Sequence, residues 1–135
     1  MPDFTFKCFG GQCRDGAMHG ASQVALMMRG SSFIWHTKVG GDGYGHVLHN
    51  AFACGRPVIA RFSQYEGKLG KDLLIDGETA INIDNLSDDQ IVDRINLCNE
   101  PQTYANMCKR VYERFKQIVD FDREERQIRQ FLASM

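Results

Sequence analysis

The residues best suited to chemistry lie in a glycine-dense segment between a predicted strand and a predicted helix. Residues 38–45 contain four glycines in six positions: Gly40, Gly41, Gly43 and Gly45. Glycine lets the backbone approach a ligand closely, and the helix that follows would present unpaired N–H groups to a phosphate or to sugar hydroxyls. The same glycines also fit a simple tight loop. Neither Gly-x-Gly-x-x-Gly nor the Walker pattern is present, which disfavours a dehydrogenase or a P-loop enzyme.

Three histidines near this segment offer competing chemistry. His36, at the end of a predicted strand, could act as a general base or contact a sugar. His46 and His49 are three residues apart on a predicted helix and could hold a metal together with Asp42. The simpler interpretation is that they line a cleft or face solvent, and we predict no metal site and no cofactor.

The cysteines do not form a recognisable framework. There are five of them, irregularly spaced: Cys8, Cys13, Cys54, Cys98 and Cys108. An odd number of cysteines with irregular spacing predicts reduced thiols, several of them in the core. A zinc site formed by Cys8, Cys13 and His19 would lack a fourth ligand. No cysteine or serine carries a recognisable nucleophile signature, so we assign no catalytic residue.

Composition excludes several classes of function. The 135 residues fit one domain, and 16 basic against 17 acidic residues give a net charge of -1. A nucleic-acid groove or a membrane-binding face needs clustered positive charge. No apolar run approaches the ~20 residues of a membrane span, and the first residues do not resemble a signal peptide. The sequence predicts a soluble, cytoplasmic protein.

Strands and helices alternate along the first two thirds of the chain. Strands are predicted at 4–9, 33–35, 58–60 and 80–83, and helices at 18–28, 46–54 and 68–75, with Gly30 as a left-handed helix cap. This order predicts an α/β fold, a Rossmann-like three-layer sandwich with a short parallel sheet. Ligands of such sheets bind beyond the carboxyl ends of the strands.

The last third, at about 87–133, is predicted to be helical. Ser87 with Gln90 forms a capping box, and Pro101 suits a first helical turn. Asp122 and Glu125 predict a second capping box. The final helix is expected to bury an apolar stripe formed by Ile128, Phe131 and Leu132.

Residues 42–60, DGYGHVLHNAFACGRPVIA, resemble a signature of retaining GT-B glycosyltransferases. That signature runs Glu-Gly-Phe-Gly, a helix with a second Glu, and Ala-x-Ala-x-Gly-x-Pro-Val-Ile. The resemblance continues through LIDGETA at 74–80, and in element order it covers 4–118. It implies the C-terminal, nucleotide-sugar-binding half of such an enzyme, with the acceptor domain absent from residues 1–135.

The resemblance also implies roles for individual residues. Asp42 falls where the family's first Glu contacts the donor sugar, and Gly43, Tyr44 and Gly45 would lie against the sugar and diphosphate. Asn50 falls on the second Glu, which binds the ribose hydroxyls. Asp is shorter than Glu, and Asn lacks its charge. Because a hydrogen bond to a charged group contributes roughly 1.5–3 kcal/mol and a neutral one roughly 0.5–1.5, altered donor binding is expected.

The family's Arg/Lys pair for the diphosphate lies upstream of the region that the resemblance covers. Lys38, Arg61, Lys68 or Lys71 would have to replace it, although each also fits a solvated surface charge. We place Lys38, Gly41 and Lys68 in the predicted site together with the signature residues.

Three functions follow from these observations. The first is binding of a UDP- or GDP-type sugar for glycosyl transfer to an acceptor hydroxyl. The second is a non-catalytic interaction or assembly domain, in which an exposed sheet edge or apolar face favours a homodimer or a companion acceptor-domain chain. The third is a small-molecule enzyme that uses His36 or His46 as acid or base.

Overall fold

The computed structural model describes residues 4–38 and 45–135. Three short strands form a parallel sheet in the order β1 (Ile34–Trp35), β2 (Val58–Ala60) and β3 (Ala80–Asn82). Ile34 lies opposite Val58, and Ile59 lies opposite Ile81. The predicted mixed α/β fold with a short parallel sheet is therefore confirmed, and its finer Rossmann-like classification stays a prediction.

Five α-helices and two 3-10 helices accompany the sheet in the described ranges. They are α1 (Ala21–Arg29), α2 (His46–Ala53), the 3-10 helices Phe62–Tyr65 and Leu69–Leu73, α3 (Asp88–Cys98), α4 (Pro101–Ile118) and α5 (Phe121–Ala133). The predicted helix at 68–75 is thus a shorter 3-10 helix. Ser87 and Gln90 make the predicted capping box, and Pro101 occupies the first turn of α4. None of these helices is both long and apolar enough to cross a membrane.

Both faces of the sheet bury apolar side chains. Val58 and Ala60 belong to one buried cluster, which includes Leu48 and Phe52 of α2. Ile59, between them in sequence, belongs to a second cluster with residues of α3. Alternate strand residues point to opposite faces, so β2 and β3 each contribute to both clusters. Burial on both sides explains why the central strand β2 is wholly apolar.

The strand predicted at 4–9 is absent. The backbone N–H of Cys8 donates to the Asp15 carboxylate at 2.7 Å, and the N–H of Asp15 donates to the Cys8 carbonyl at 3.1 Å. The Gly10 N–H donates to the Gly16 carbonyl at 2.9 Å. These bonds close a local turn at the end of the segment, where a strand would need a ladder with a neighbour. Phe6 is correspondingly exposed.

Two predicted helix ends are also wrong. Gly30 has φ -79° and ψ -6°, which is right-handed, and its N–H still donates to the Leu26 carbonyl at 3.0 Å. The final helix begins earlier than its predicted capping box at Asp122 and Glu125. Its N-cap is Asp120, whose carboxylate accepts a hydrogen bond from the Arg123 N–H at 2.9 Å.

The predicted burial of the last helix is wrong as well. Ile128, Phe131 and Leu132 are 59%, 65% and 61% exposed, and Phe121 is 71% exposed. We call these four residues the α5 apolar face. The helical spacing was predicted correctly, but spacing defines only which residues share a face. It does not supply a surface to cover them, and no α5 residue is buried by the described chain.

Candidate functional site

The segments that follow the three strands meet at one edge of the sheet. Residues 36–38 follow β1, the 3-10 helix Phe62–Tyr65 follows β2, and residues 83–84 follow β3. Because the strands are parallel, their carboxyl ends lie at the same edge. Lys38, the first residue of the glycine-dense segment, is also at this edge. The described chain resumes at Gly45, the N-cap of α2.

Gly45 starts α2 in a conformation that only glycine adopts at low cost. Its φ and ψ are 75° and 65°, in the left-handed region. A Cβ at this position would lie 3.3 Å from the Leu48 Cβ and 3.8 Å from Cε1 of Tyr65. Glycine also has no side-chain oxygen to cap the first-turn N–H groups. The backbone at the start of α2 is therefore fixed closely against its neighbours.

Tyr65, which was not among the predicted site residues, lies beside the candidate site. Its ring is buried next to Gly45, and its hydroxyl lies 2.5 Å from Nδ1 of His36. This contact joins the end of β1 to the 3-10 helix after β2. The sequence did offer a signal for Tyr65, because it is an aromatic residue in a strand-to-helix connection, at the edge where ligands of such sheets bind. For His36, an acid-base role stays a prediction, since the contact equally serves to position the two segments.

Two of the candidate lysines, Lys38 and Lys68, are held at the same 3-10 helix, and their role in binding stays a prediction. The Lys38 backbone N–H donates to Oε1 of Gln64 at 3.1 Å, and Nζ of Lys68 donates to the Gln64 carbonyl at 2.8 Å. Lys38 is exposed and Lys68 is half-buried. The Nζ of Lys71 instead pairs with the Glu66 carboxylate. Of the candidate lysines, Lys38 and Lys68 are thus the two held beside Gln64.

Asn50 lies on the exposed side of α2, five residues beyond Gly45, which is about 7.5 Å along the helix axis. Four of the predicted site residues lie outside the described residues, so their roles stay predictions: Gly41, Asp42, Gly43 and Tyr44.

The remaining histidines of α2 differ in their surroundings. His46 is exposed, whereas His49 is half-buried with its ring edge-on to Phe115 at 6.0 Å between centroids. Within 4–38 and 45–135, no three His, Cys, Asp or Glu side chains are grouped so that they could hold a metal ion. Asp42, the third member of the metal hypothesis, lies outside these ranges.

Asp84 fastens the segment after β2 to the segment after β3. Its carboxylate accepts the Ser63 backbone N–H at 2.8 Å and the Ser63 hydroxyl at 2.7 Å. Burial alone would raise the pKa of Asp84. The Ser63 hydrogen bonds, the charge of Arg61 and the N–H of Phe62 outweigh that effect, and the pKa of Asp84 is lowered. The carboxylate therefore holds the 3-10 helix that carries Tyr65.

Asp84→Asn should reduce the free energy of unfolding at neutral pH by about 1–2 kcal/mol, because hydrogen bonds to a charged acceptor are replaced by weaker ones. A lowered native pKa stabilises the fold above the unfolded pKa of about 3.9 and ceases to do so as pH falls through the native value. The difference between wild type and variant should therefore shrink toward ~pH 3. Urea unfolding at several pH values measures it. Exposed Asp93→Asn is the control, and a pH-independent difference for Asp84→Asn would contradict the assignment.

A groove, which we call the N-terminal groove, opens beside the same sheet edge. Its volume is about 880 Å³, and its lining includes Phe6, Cys8, Cys13, Trp35, Arg61 and Ile91. Trp35 is 44% exposed and meets the Phe6 ring edge-on at 6.5 Å. This volume is within the range of small-molecule sites. Trp35 was predicted only as part of a strand, so the groove was not expected from the sequence.

Comparison with known proteins adds a structural likeness only. No family model matches the chain, and no curated protein matches it. Solved structures with a similar fold include HepE of Anabaena in complex with UDP-glucose, with UDP and glucose, and with UDP. Their TM-scores are 0.69, 0.69 and 0.70, at 21% identity over 89% of this chain. The matched region is 31% of the HepE chain, so this chain corresponds to about a third of HepE and shares the fold of that part.

Proposed function

We propose that this chain is a glycosyltransferase-like domain that binds a nucleotide-diphosphate sugar of the UDP or GDP type. The observation that carries the proposal is the position of Gly45. It begins α2 at the carboxyl edge of the sheet, where the resemblance of residues 42–60 to the GT-B signature puts the sugar and diphosphate. The fold shared with HepE, which was solved with UDP-glucose, supports the same ligand class.

Electrostatics at this edge favour a diphosphate. The N-terminus of α2 carries a partial positive charge, which contributes about 0.3–1 kcal/mol to the binding of an anion. The Nζ of Lys68 adds a full positive charge beside Gln64 of the 3-10 turn, and Lys38, whose backbone N–H is bound to Gln64, carries a second one. Within a complete enzyme, these groups would stabilise the diphosphate as it leaves the sugar. Transfer to an acceptor hydroxyl would require a second domain or a companion chain to bind the acceptor.

Asn50 is proposed to contact the ribose. Its exposed position on α2, about a turn and a half beyond Gly45, leaves the side chain accessible to a nucleotide that extends from the diphosphate. The amide oxygen accepts a hydrogen bond from a hydroxyl but carries no charge. The proposal therefore includes weaker ribose binding than a glutamate would give at this position.

Isothermal titration calorimetry with UDP, GDP and UDP-glucose tests the proposal. We expect micromolar to low-millimolar binding by the wild type. Asp42→Ala should weaken binding of the sugar conjugate about tenfold or more, since a hydrogen bond to a charged group is lost. Asn50→Glu should tighten nucleotide binding about fivefold, because a charged acceptor contributes roughly 1 kcal/mol more than a neutral one.

Asn96→Glu provides the matched control for Asn50→Glu. Asn96 is also an exposed helical asparagine, on α3, so this variant adds the same charge away from the proposed ribose position. Equal effects of the two variants would indicate a general change in charge instead of a ribose contact. Absence of binding heat for every nucleotide, from protein shown to be folded by circular dichroism, would refute the proposed function.

The α5 apolar face favours a second candidate, a non-catalytic assembly domain. Four large apolar side chains on one short helix are more than half exposed, and such a surface is typical of an interaction site. Sedimentation equilibrium combined with the calorimetry separates the two candidates. Stable self-association without nucleotide binding would favour assembly, and nucleotide binding by a monomer would favour the first function.

A further inference from the structure

We propose that Cys8 and Cys13 are a reactive dithiol, which a low-molecular-weight disulfide converts to an intramolecular disulfide at the wall of the N-terminal groove. All five cysteines are free thiols in the structure. Their number and spacing gave no disulfide framework in the sequence. The local fold, however, brings two of them together where a small reagent can reach them.

Backbone hydrogen bonds impose this proximity. The segment turns back on itself, with bonds from the Cys13 N–H to the Gly10 carbonyl at 3.1 Å and from the Asp15 N–H to the Cys8 carbonyl at 3.1 Å. The Asp15 carboxylate also accepts the Cys8 N–H at 2.7 Å. Cys8 is therefore anchored to Asp15, and Cys13 to Gly10, within one closed segment, which limits how far apart the two residues can move.

The surroundings of Cys13 agree with a neighbouring Cys8 side chain. That side chain is the main reason that the pKa of the Cys13 thiol is raised, followed by desolvation and by the charges of Cys8 and Asp15. Gly10 makes room for this arrangement. It has φ +153°, and a Cβ there would lie 3.1 Å from the Cys13 sulfur. A Cβ at position 10 would therefore require the Cys13 sulfur to shift by a few tenths of an ångström.

Access to the pair is asymmetric. Cys8 is exposed and Cys13 is partly covered, and both line the N-terminal groove. Among the described residues, no third His, Cys, Asp or Glu completes a metal-binding group with them. Two adjacent thiols at an open groove are sufficient for thiol-disulfide exchange, which needs no further ligand.

The reaction proceeds in two balanced exchanges. The Cys8 thiolate attacks one sulfur of the disulfide R–S–S–R, forms a mixed disulfide and releases RS⁻. Cys13 then loses its proton to solvent and attacks the Cys8 sulfur, which breaks the mixed bond and releases the second RS⁻. The two thiol protons end on two molecules of RSH, and the two cysteine sulfurs are oxidised as R–S–S–R is reduced.

Oxidised glutathione is the probe, applied to the reduced full chain under native conditions. Trypsin cleaves after Lys7 and Arg14, so both cysteines fall in the single peptide 8–14. After alkylation of the remaining thiols, mass spectrometry should find this peptide unalkylated and two hydrogen atoms lighter than its reduced form. The peptides with Cys54, Cys98 and Cys108 should remain alkylated.

Gly10→Ala and Gly11→Ala make a matched pair of variants. Alanine at 10 would crowd the Cys13 sulfur, whereas alanine at 11 would meet nothing within 4 Å. The equilibrium ratio of disulfide to dithiol should fall on the order of tenfold in Gly10→Ala, because departure from disulfide geometry makes the bond easier to reduce. It should be unchanged in Gly11→Ala. Recovery of peptide 8–14 only in alkylated or glutathione-linked form, or equal ratios in the two variants, would overturn the proposal.

Discussion

Phe52→Ala should lower the free energy of unfolding by about 3–5 kcal/mol, the usual cost of removing a fully buried phenylalanine. Phe52 is completely buried in the cluster that joins α2 to the first face of the sheet. Since small domains have total stabilities of about 5–15 kcal/mol, this single change would remove a large share. It would also loosen α2, which carries Gly45 and Asn50. Chemical denaturation followed by circular dichroism measures the loss.

Phe131→Ala is the matched control, because it makes the same substitution on the α5 apolar face. Phe131 is 65% exposed, so the expected loss is within about 0.5 kcal/mol. A loss for Phe131→Ala comparable to that for Phe52→Ala would mean that α5 is covered in solution. In that case the loss should depend on protein concentration, as it does when a second copy provides the cover. A small loss at every concentration would agree with an exposed helix.

Residues that interact with near neighbours in sequence were predicted well. The capping box at Ser87 and Gln90 is fixed by contacts within one helical turn, and Pro101 needs only its own fixed φ to begin α4. The apolar strands at 58–60 and 80–82 were recognisable because both of their faces are buried. Alternation of these elements was then enough to predict a parallel sheet.

Errors arose where the outcome depends on distant partners. Residues 4–9 have the composition of a strand, but a strand forms only with a neighbour that accepts its hydrogen bonds, and Asp15 closes a turn there instead. The stripe of Ile128 and Phe131 has helical spacing, yet spacing carries no information about what covers it. The site shows the same limit. The positions of Gly45 before α2 and of Lys68 after β2 were predictable from the sequence, whereas the contact of Tyr65 with His36 spans 29 positions.

Gly45→Ala should both destabilise the fold and weaken nucleotide binding. A non-glycine residue in the left-handed region costs about 1–3 kcal/mol. The new Cβ would also lie 3.3 Å from the Leu48 Cβ, which is tighter than ordinary van der Waals contact. Leu48 is fully buried and cannot move away freely, so the start of α2 or the Tyr65 ring must shift. Because the N–H groups of this turn are proposed to face the diphosphate, we expect UDP affinity to fall about tenfold, equivalent to ~1.4 kcal/mol.

Gly77→Ala separates the two contributions to this effect. Gly77 also has a positive φ, +73°, but a Cβ there would meet nothing within 4 Å. Its variant should therefore show the backbone cost alone, and it should bind UDP as the wild type does. Denaturation gives the stability of each variant, and calorimetry gives its affinity. If the two variants lose equal stability and neither loses affinity, the close contact of Gly45 with Leu48 and Tyr65 does not shape the site. If Gly45→Ala alone loses affinity, that contact positions the start of α2 for the ligand.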